Sequence, residues 1–245
     1  MERLAVRDDV NMMIDPGEVE SRYRDFVDSN PQFRDDIILD RPFPFELFGV
    51  DKLWNPTSIR LLLLGESPPS WNYPTNYFYN ADYCGNLSNA VFDLFHISGA
   101  HKKDQLMSFK EERGYLLIDT LLCAYKDKIP RKLVYFSGEK LLKDEVLRLR
   151  PASILVLGNN ALRGLKRFEP FSTCLERIES VVRKKRDGKW DPLISKKCGD
   201  VNVVASPFPN HFRNKVIWWQ VEEAFCEASR IAGQVGQSTE ELNSQ

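Results

Sequence analysis

The fold is decided by the segment IRLLLL (59–64), a short apolar run that ends at Gly65. A strand that is buried on both faces needs such a run, because helices cover both surfaces of a parallel sheet. Three later segments have the same character, namely YLLID (115–119), SILVL (153–157) and NVVA (202–205). The sequence therefore predicts four buried strands, each of which runs into a loop.

Amphipathic helical segments lie between and after these strands. They are NLSNAVFDLF (86–95), DQLMSFKEE (104–112), GEKLLKDEVLRLR (138–150), NNALRGLKRF (159–168) and KVIWWQVEEAFCEASRI (215–231). Strands that alternate with helices predict βαβ units and a parallel sheet that is covered on both faces. We therefore expect an α/β fold of three layers, α/β/α, around a central, mainly parallel four-stranded sheet.

The pattern predicts a single domain over residues 1–231. Its first helix begins at Pro16, with Asp15 as the N-cap residue, and a loop rich in Pro and Phe follows within residues 1–58. We expect both to pack on the domain, and the pattern indicates no second core. The polar tail, residues 232–245, is expected to be disordered.

Composition excludes several classes of protein. The 245 residues include 34 Lys and Arg and 35 Asp and Glu, which gives a net charge of -1. No apolar run reaches the roughly eighteen residues that a transmembrane helix needs, and the charged N-terminal segment is unlike a secretory signal. We expect a cytoplasmic monomer without membrane contact, in which a nucleic-acid partner would have to meet a local basic patch.

The five cysteines and three histidines predict neither a disulfide framework nor a metal site. The cysteine count is odd and contains no C-x-x-C pair, so we expect reduced thiols. A zinc site would have to gather its ligands from distant segments, and we expect no metal and no other cofactor. The segment LGNNA (157–161) matches neither a dinucleotide-binding nor a P-loop pattern.

Polar residues follow each predicted strand, at the place where open α/β sheets bind ligands. The strand-end segments are GESPP (65–69), DT (119–120), GNN (158–160) and SPFPNH (206–211). We expect them to form one site. Glu66 can stabilise a developing cation or orient a water there, and the alternative is a structural carboxylate that caps a helix or pairs with an Arg.

Aromatic and basic residues add to this candidate site. The segment SWNYPTNYFYN (70–80) suits stacking on a nucleobase, or else its rings pin the loop to the core. Within 206–213, the side chains of Ser206, Asn210 and His211 can donate to an anionic leaving group, unless the segment is only a turn before the last helix. The candidate DNA contacts, for which a solvated charged face is the alternative, are Arg183, Lys184, Lys185, Arg186, Arg213 and Lys215.

Taken in order, these segments resemble the uracil-DNA glycosylase superfamily. LLLGESPP (62–69) is similar to the family's strand that runs into Gly-x-x-Pro, in the Gly-Glu-x-Pro form of the iron–sulfur branch. Three further segments resemble later motifs of the family, namely YLLIDTLLCAY (115–125), ILVLGNNA (154–161) and ASPFPN (205–210). The similarity spans about residues 59–215 and is carried by order and spacing more than by any single motif.

The resemblance implies roles for individual residues. Phe78, the best match, or Tyr79, the second match, would stack on the flipped base. Asp119 would read the edge of that base. The implied substrate-binding residues are Gly65, Ser67, Pro68, Phe78, Tyr79, Asp119 and Asn210. The implied catalytic residues are Glu66, Ser206 and His211.

Two positions depart from the family pattern, and the cluster ligands of the iron–sulfur branch are incomplete. Ser206 stands where the family has His, and a hydroxyl donates to a leaving oxyanion less strongly than an imidazole does. Asp119 stands where the family has Asn, and an ionised Asp would repel the O4 atom of uracil, which argues against strict uracil specificity. Cys123 matches one ligand of the iron–sulfur branch, but the paired N-terminal cysteines are absent, so we expect no cluster.

The implied function is hydrolysis of the N-glycosidic bond of a damaged or deaminated base that is flipped out of DNA. Two alternatives remain open. One is a non-catalytic module of the same fold that binds nucleic acid or a nucleotide. The other is a small-molecule enzyme on an unrelated α/β fold, in which Glu66 and Asp119 act as an acid–base pair.

Overall fold

A five-stranded, mainly parallel sheet is the central element of the protein in a computed structural model, which describes residues 16–38, 59–69, 77–83, 85–126, 128–182, 193–209 and 215–243. The strands of the described residues are β1 (Ile37–Ile38), β2 (Leu61–Gly65), β3 (Tyr115–Asp119), β4 (Ala124–Tyr125), β5 (Ser153–Leu157), β6 (Ser195–Cys198) and β7 (Val201–Ser206). The central sheet has the order β3–β2–β5–β7–β6, and β1 pairs separately with β4. The four predicted strands, β2, β3, β5 and β7, are parallel neighbours.

The sheet has five strands and not the predicted four. β6 runs antiparallel to β7 at the edge of the sheet, and its first three residues are exposed. Its sequence, SKKC, therefore lacks the apolar run by which the other strands were recognised. Lys196 and Lys197 lie on this edge, where lysines discourage pairing with another chain.

Helices pack against the sheet, as the alternating pattern predicts. In the described residues they are α1 (Pro16–Asp28), α2 (Asn86–Leu94), α3 (Lys102–Met107), α4 (Arg131–Ser137), α5 (Lys143–Leu149), α6 (Asn159–Leu165), α7 (Phe171–Cys174) and α8 (Lys215–Asn243). A π-helical turn over Ser108–Glu112 extends α3, and another over Gly138–Leu142 joins α4 to α5. α8 contacts β7, β5 and β2, and α6 contacts β5.

The strands are buried on both faces. Every residue of β2, β3 and β5 is buried, and so are the last four residues of β7. Their side chains form the main hydrophobic cluster together with apolar residues of the helices. This burial is consistent with the predicted three-layer arrangement, because both faces of a strand can be covered only if helices lie on each side of the sheet.

The last helix is longer than its apolar pattern suggests. We expected it to end at Ile231 and the tail from 232 to be disordered, whereas α8 continues to Asn243. A helix that has been nucleated by its packed apolar face adds further residues at little cost, even when those residues are polar.

A second hydrophobic cluster, which the sequence pattern did not reveal, lies beneath the loop that follows β3. Tyr23 of α1 is fully buried there, and its hydroxyl accepts a hydrogen bond from the backbone N–H of Leu122 at 3.0 Å. Ser137 of α4 donates to the carbonyl oxygen of Thr120 at 2.5 Å. The other members include Val19, Phe26, Ile37, Cys123, Tyr125, Leu133 and Leu141. This cluster fixes the chain just past the end of β3.

The cysteines only partly follow the prediction of reduced thiols. Cys174 at the end of α7 and Cys198 at the end of β6 form a disulfide, with their Cα atoms 5.5 Å apart. The expectation is wrong for this pair, because an odd count without a C-x-x-C motif does not exclude a bond between distant segments. Cys123 is a free, buried thiol whose pKa burial raises to about 12, and Cys226 is free and exposed.

Tyr79→Phe should destabilise the protein by about 1–3 kcal/mol, because it removes both hydrogen-bond partners of a buried backbone unit. The Tyr79 hydroxyl donates to the carbonyl oxygen of Leu117 at 2.9 Å and accepts from the Leu117 N–H at 2.7 Å. Leu117 lies in β3, the strand at the edge of the sheet. Urea denaturation of the variant and the wild type measures the difference. Tyr83→Phe is the matched control, since Tyr83 is 47% exposed; equal losses in the two variants would contradict the assignment.

Candidate functional site

The carboxyl ends of the four parallel strands lie side by side. Gly65, the last residue of β2, is directly opposite Asp119, the last residue of β3. Leu157 at the end of β5 is directly opposite Ser206 at the end of β7. Because β2 also pairs with β5, the predicted strand-end segments are neighbours along one edge of the sheet. This edge is the candidate site.

Gly65 is required by the close approach of Asp119. A Cβ atom on Gly65 would overlap the Oδ1 atom of the Asp119 side chain. The N–H and the hydroxyl of Thr120 both donate to the carbonyl oxygen of Gly65, at 3.0 and 2.8 Å. These bonds hold the end of β3 against the end of β2. The Asp119 carboxyl group therefore rests directly on the backbone of Gly65.

Glu66, the residue after β2, is held by the helix that follows β5. Asn160 in the first turn of α6 donates from Nδ2 to Glu66 Oε1 at 2.6 Å, and Arg163 donates from Nη1 to Asn160 Oδ1 at 2.8 Å. The backbone of Glu66 is fixed as well, since its carbonyl oxygen accepts from the N–H of Leu121 at 3.0 Å. The Glu66 carboxylate is half-buried and is oriented towards α6.

The two acidic groups differ in their electrostatic surroundings. Asp119 is 8% exposed, and burial, followed by the negative charge of Glu66, raises the pKa of Asp119 to about 7. Burial raises the pKa of Tyr79 far above its usual value, and the charge of Asp119 raises it further. Of the two neighbouring carboxyl groups, Asp119 is therefore substantially protonated near neutral pH. Such a pair is suited to acid–base chemistry.

The loops after β5 and β7 also meet at this edge. The N–H of Gly158 donates to the carbonyl oxygen of Ser206 at 2.9 Å, and Gly158 has a φ of +89°. A Cβ at Gly158 would lie 3.6 Å from the Cβ of Phe208. Gly158 therefore turns the chain from β5 into α6 while it contacts the segment after β7. All four strand ends are thus connected by backbone bonds or direct contacts.

Ser206 does not present its hydroxyl to the site. The residue is fully buried, and its Oγ atom donates to the carbonyl oxygen of Pro207 at 2.8 Å. In this structure its proton is engaged in the turn, and donation from Ser206 to a leaving group stays a prediction. Ser67 and Pro68 follow Glu66 as expected, with Ser67 half-buried and Pro68 buried.

The aromatic side chains that were expected to stack on a base are packed in the core. Phe78 is 3% exposed and contacts the rings of Tyr79, Phe92 and Phe109. The Tyr79 hydroxyl is bonded to the backbone of Leu117. In this structure the rings thus fulfil the alternative that the sequence left open, which is to anchor the loop.

Several predicted site residues lie outside the described residues. They are Asn210, His211, Arg213, Arg183, Lys184, Lys185 and Arg186. Lys215 begins α8, but its side chain also lies outside the described part. The functions inferred for these residues stay predictions from the sequence.

A further basic cluster, around α6, has structural contacts. Lys166 donates to the carbonyl oxygens of Glu176 and Ile178, both at 2.9 Å. Arg167 forms an ion pair with Glu139 and lies 4.5 Å from the ring centroid of Tyr135. These cations hold helices and turns together, and with Arg163 bonded to Asn160 they explain this charge run without a ligand.

Sequence reasoning missed the function of Asn160 as the support of Glu66. Its position just past a strand end, in the first turn of the next helix, was the available signal. The partner could not be read from the sequence, because Glu66 and Asn160 are 94 residues apart. Arg163 follows one helical turn later and completes the chain of bonds.

A cavity of about 860 Å³ lies elsewhere in the molecule, between the end of α2 and α8. Its lining includes Phe95, His96, Arg113, Trp218 and Arg230. Arg113 precedes β3, so this cavity is near the amino end of that strand and not at the candidate site. None of the predicted site residues in the described part of the chain lines it.

Comparisons with known proteins do not assign the chain to a family. No protein-family model matches it, and a search of curated proteins found no significant match. Among the described residues, no helix is both long enough and apolar enough to cross a membrane, and no cluster of three or more His, Cys, Asp or Glu side chains is arranged to hold a metal ion. The family resemblance therefore rests on the motifs quoted above.

Asp119→Asn should stabilise the protein at neutral and alkaline pH. The native state holds a proton on Asp119 up to about pH 7, whereas the unfolded state releases it near the ordinary Asp value of 3.8. Ionisation therefore lowers the stability of the wild type as the pH rises between these two values, and the neutral Asn escapes this loss.

Relative to wild type, the advantage of the Asn variant should grow by about 2–3 kcal/mol between pH 5 and pH 8. Urea denaturation of both proteins at the two pH values gives this difference. Asp82→Asn, at an exposed position, is the control. A constant difference between Asp119→Asn and wild type across this range would show that Asp119 titrates normally.

Proposed function

We propose that the protein hydrolyses the N-glycosidic bond of a damaged or deaminated base that is flipped out of DNA. The observation that carries the proposal is the pair of carboxyl groups, Glu66 and Asp119, at the carboxyl edge of the parallel sheet. Hydrolysis of a glycosidic bond passes through a sugar with oxocarbenium character, and paired carboxyl groups are the usual means to stabilise it. The proposal includes a fold of the uracil-DNA glycosylase type.

Glu66 is assigned to the sugar. As the bond between C1′ and the base nitrogen lengthens, positive charge develops on the sugar ring, and a fixed carboxylate lowers the energy of that charge. Asn160 supports this function, because its hydrogen bond to Oε1 holds the carboxylate in place without neutralising it. Glu66 can also orient the water that adds to C1′.

Asp119 is assigned to the base. Its carboxyl group rests against Gly65 and neighbours Glu66, so a base beside it would lie over the ends of β2 and β3. A protonated Asp119 offers one donor and one acceptor, as an amide does, and does not repel a carbonyl oxygen of the base. A protonated Asp119 therefore avoids the repulsion that an ionised Asp would exert on the O4 atom of uracil.

DNA is the proposed source of the base. Flipping costs a few kcal/mol of unstacking, least for a mismatched or damaged base. The basic residues proposed to contact phosphates are those named from the sequence, Arg183, Lys184, Lys185, Arg186, Arg213 and Lys215. We propose that the protein acts as a monomer in the cytoplasm and requires no metal or organic cofactor for this step.

The engagement of Ser206 favours a second candidate function. With its hydroxyl bonded to Pro207, Ser206 cannot stabilise a departing base anion in the present arrangement. A module that binds a flipped base or a nucleotide without cleaving it would need no such donor. Salt-dependent binding of DNA with no release of base would support this function over the first.

Glu66→Gln should lower the rate constant of base release by at least about 100-fold, because Gln keeps the size and an acceptor for Asn160 but loses the charge that stabilises the sugar cation. The substrates are single- and double-stranded oligonucleotides that contain uracil, hypoxanthine, xanthine or a mismatch. Alkaline cleavage of the abasic sites measures the product under single-turnover conditions.

The matched control for this experiment is Glu179→Gln, at an exposed position. It should leave base release unchanged. If wild-type protein forms no abasic sites on any of these substrates, glycosylase activity is refuted. Equal rates for Glu66→Gln and wild type would instead remove Glu66 from the mechanism.

Asn160→Ala should lower kcat by about 10- to 100-fold and change KM little, because a catalytic group that is displaced by about 1 Å loses activity on this order. Oligonucleotide binding should remain, since Asn160 is assigned to Glu66 and not to DNA. Asn89→Ala, at an exposed position of α2, serves as the control. A loss of affinity equal to the loss of rate would indicate that Asn160 contacts the substrate directly.

A further inference from the structure

We infer that Asp119 is the general acid of the site and delivers a proton to the departing base. This inference rests on the proposed function and adds the origin of the proton that the leaving group takes up. It is carried by the placement of the two carboxyl groups, one on each side of the end of β2. Neither the motif comparison nor the assignment of Glu66 requires it.

The two carboxyl groups are held in different directions. Asp119 covers Gly65 from the side of β3, and the bonds from Thr120 to Gly65 fix the strand ends against each other. Glu66 extends towards the start of α6, where Asn160 holds it. A substrate placed over the end of β2 would therefore meet Asp119 on one side and Glu66 on the other. We propose that this placement lets Asp119 act on the base while Glu66 acts on the sugar.

The surroundings of Asp119 favour its protonated form. The titratable groups that interact with it are Glu66, directly after β2, and Tyr79, in the segment before α2. Arg163 of α6 is separated from it by Asn160 and Glu66. Burial and the charge of Glu66 both raise the pKa of Asp119, to about 7. A group with such a pKa can hold a proton at neutral pH and still release it.

Asp119 also has little competition for this function among the described strand-end side chains. The Ser206 hydroxyl is bonded to Pro207, and the Thr120 hydroxyl is bonded to Gly65. The Tyr79 hydroxyl is bonded to Leu117, and burial raises its pKa so far that it is a poor proton donor. These bonds leave the Asp119 carboxyl as the group with a transferable proton.

The proposed step conserves atoms and charge. The bond between C1′ and the base nitrogen breaks, and its electron pair goes to the base. The proton of Asp119 passes to the base, which leaves as the neutral molecule. Water adds to C1′, and its proton passes to the Asp119 carboxylate, directly or through Glu66. The products are the free base and an abasic sugar, and Asp119 is again protonated.

The test compares wild type, Asp119→Asn and the control Asp82→Asn on oligonucleotides that contain uracil or 5-fluorouracil, with hypoxanthine and xanthine as further substrates. Single-turnover rate constants are measured from pH 5 to pH 9, and binding of the same oligonucleotides is measured separately. 5-Fluorouracil is the more acidic base, so it leaves with less help from an acid.

The wild-type rate constant should fall about tenfold per pH unit above pH 7, and Asp119→Asn should lack this fall. Asp119→Asn should release uracil about 10²- to 10⁴-fold more slowly than wild type near pH 6, with a clearly smaller loss for 5-fluorouracil. Its affinity for oligonucleotides should stay within about threefold of wild type. A merely structural function of Asp119 would not produce this dependence on the leaving group.

Each other result has a definite meaning. If Asp119→Asn releases uracil as fast as wild type at all pH values, Asp119 only reads the base, and the acid assignment is overturned while the proposed function stands. If wild type releases no base at any pH, both are overturned. If Asp119→Asn fails to fold, two other measurements test the same assignment. One is the pH profile of the wild type, and the other is the variant Gly65→Ala, whose new methyl group displaces the Asp119 carboxyl. An unchanged rate of uracil release in Gly65→Ala overturns the assignment.

Discussion

The contact between Gly65 and the carboxyl group of Asp119 is the constraint on which the candidate site depends. Only a residue without a side chain lets the Asp119 oxygen lie against the backbone at the end of β2. The two bonds from Thr120 to the Gly65 carbonyl then fix this position. Since Glu66 follows Gly65 directly, the same contact sets the separation of the two acidic groups and hence their electrostatic coupling.

Much of the sheet could be predicted from the sequence, because a strand that is buried on both faces must be apolar at nearly every position. This condition identified β2, β3, β5 and β7. It failed for β6, whose outer residues are exposed and polar, and it gave no information on the disulfide between Cys174 and Cys198. Both features depend on which segments become neighbours, and local composition does not specify that.

The candidate site was predictable to a similar degree. Position at a strand end was enough to single out Glu66 and Asp119, because the carboxyl ends of parallel strands share one edge. It was not enough to give the partner of Glu66, which lies on another helix, or the direction of the Ser206 hydroxyl, which a local turn determines. Phe78 shows the same limit, since an aromatic residue near a site has the same sequence signal whether it binds a ligand or fills the core.

The buried carboxyl group of Asp119 is hard to explain by stability alone. Its raised pKa means that the folded state loses about 4 kcal/mol above pH 7 compared with a normally titrating Asp. Glu227 behaves in the opposite way: it is paired with Arg230, and its pKa is lowered. An Asn at position 119 would keep the shape without the charge. A carboxyl group with this cost, next to a second one at the edge of the sheet where the proposed site lies, is what the proposed proton transfer requires.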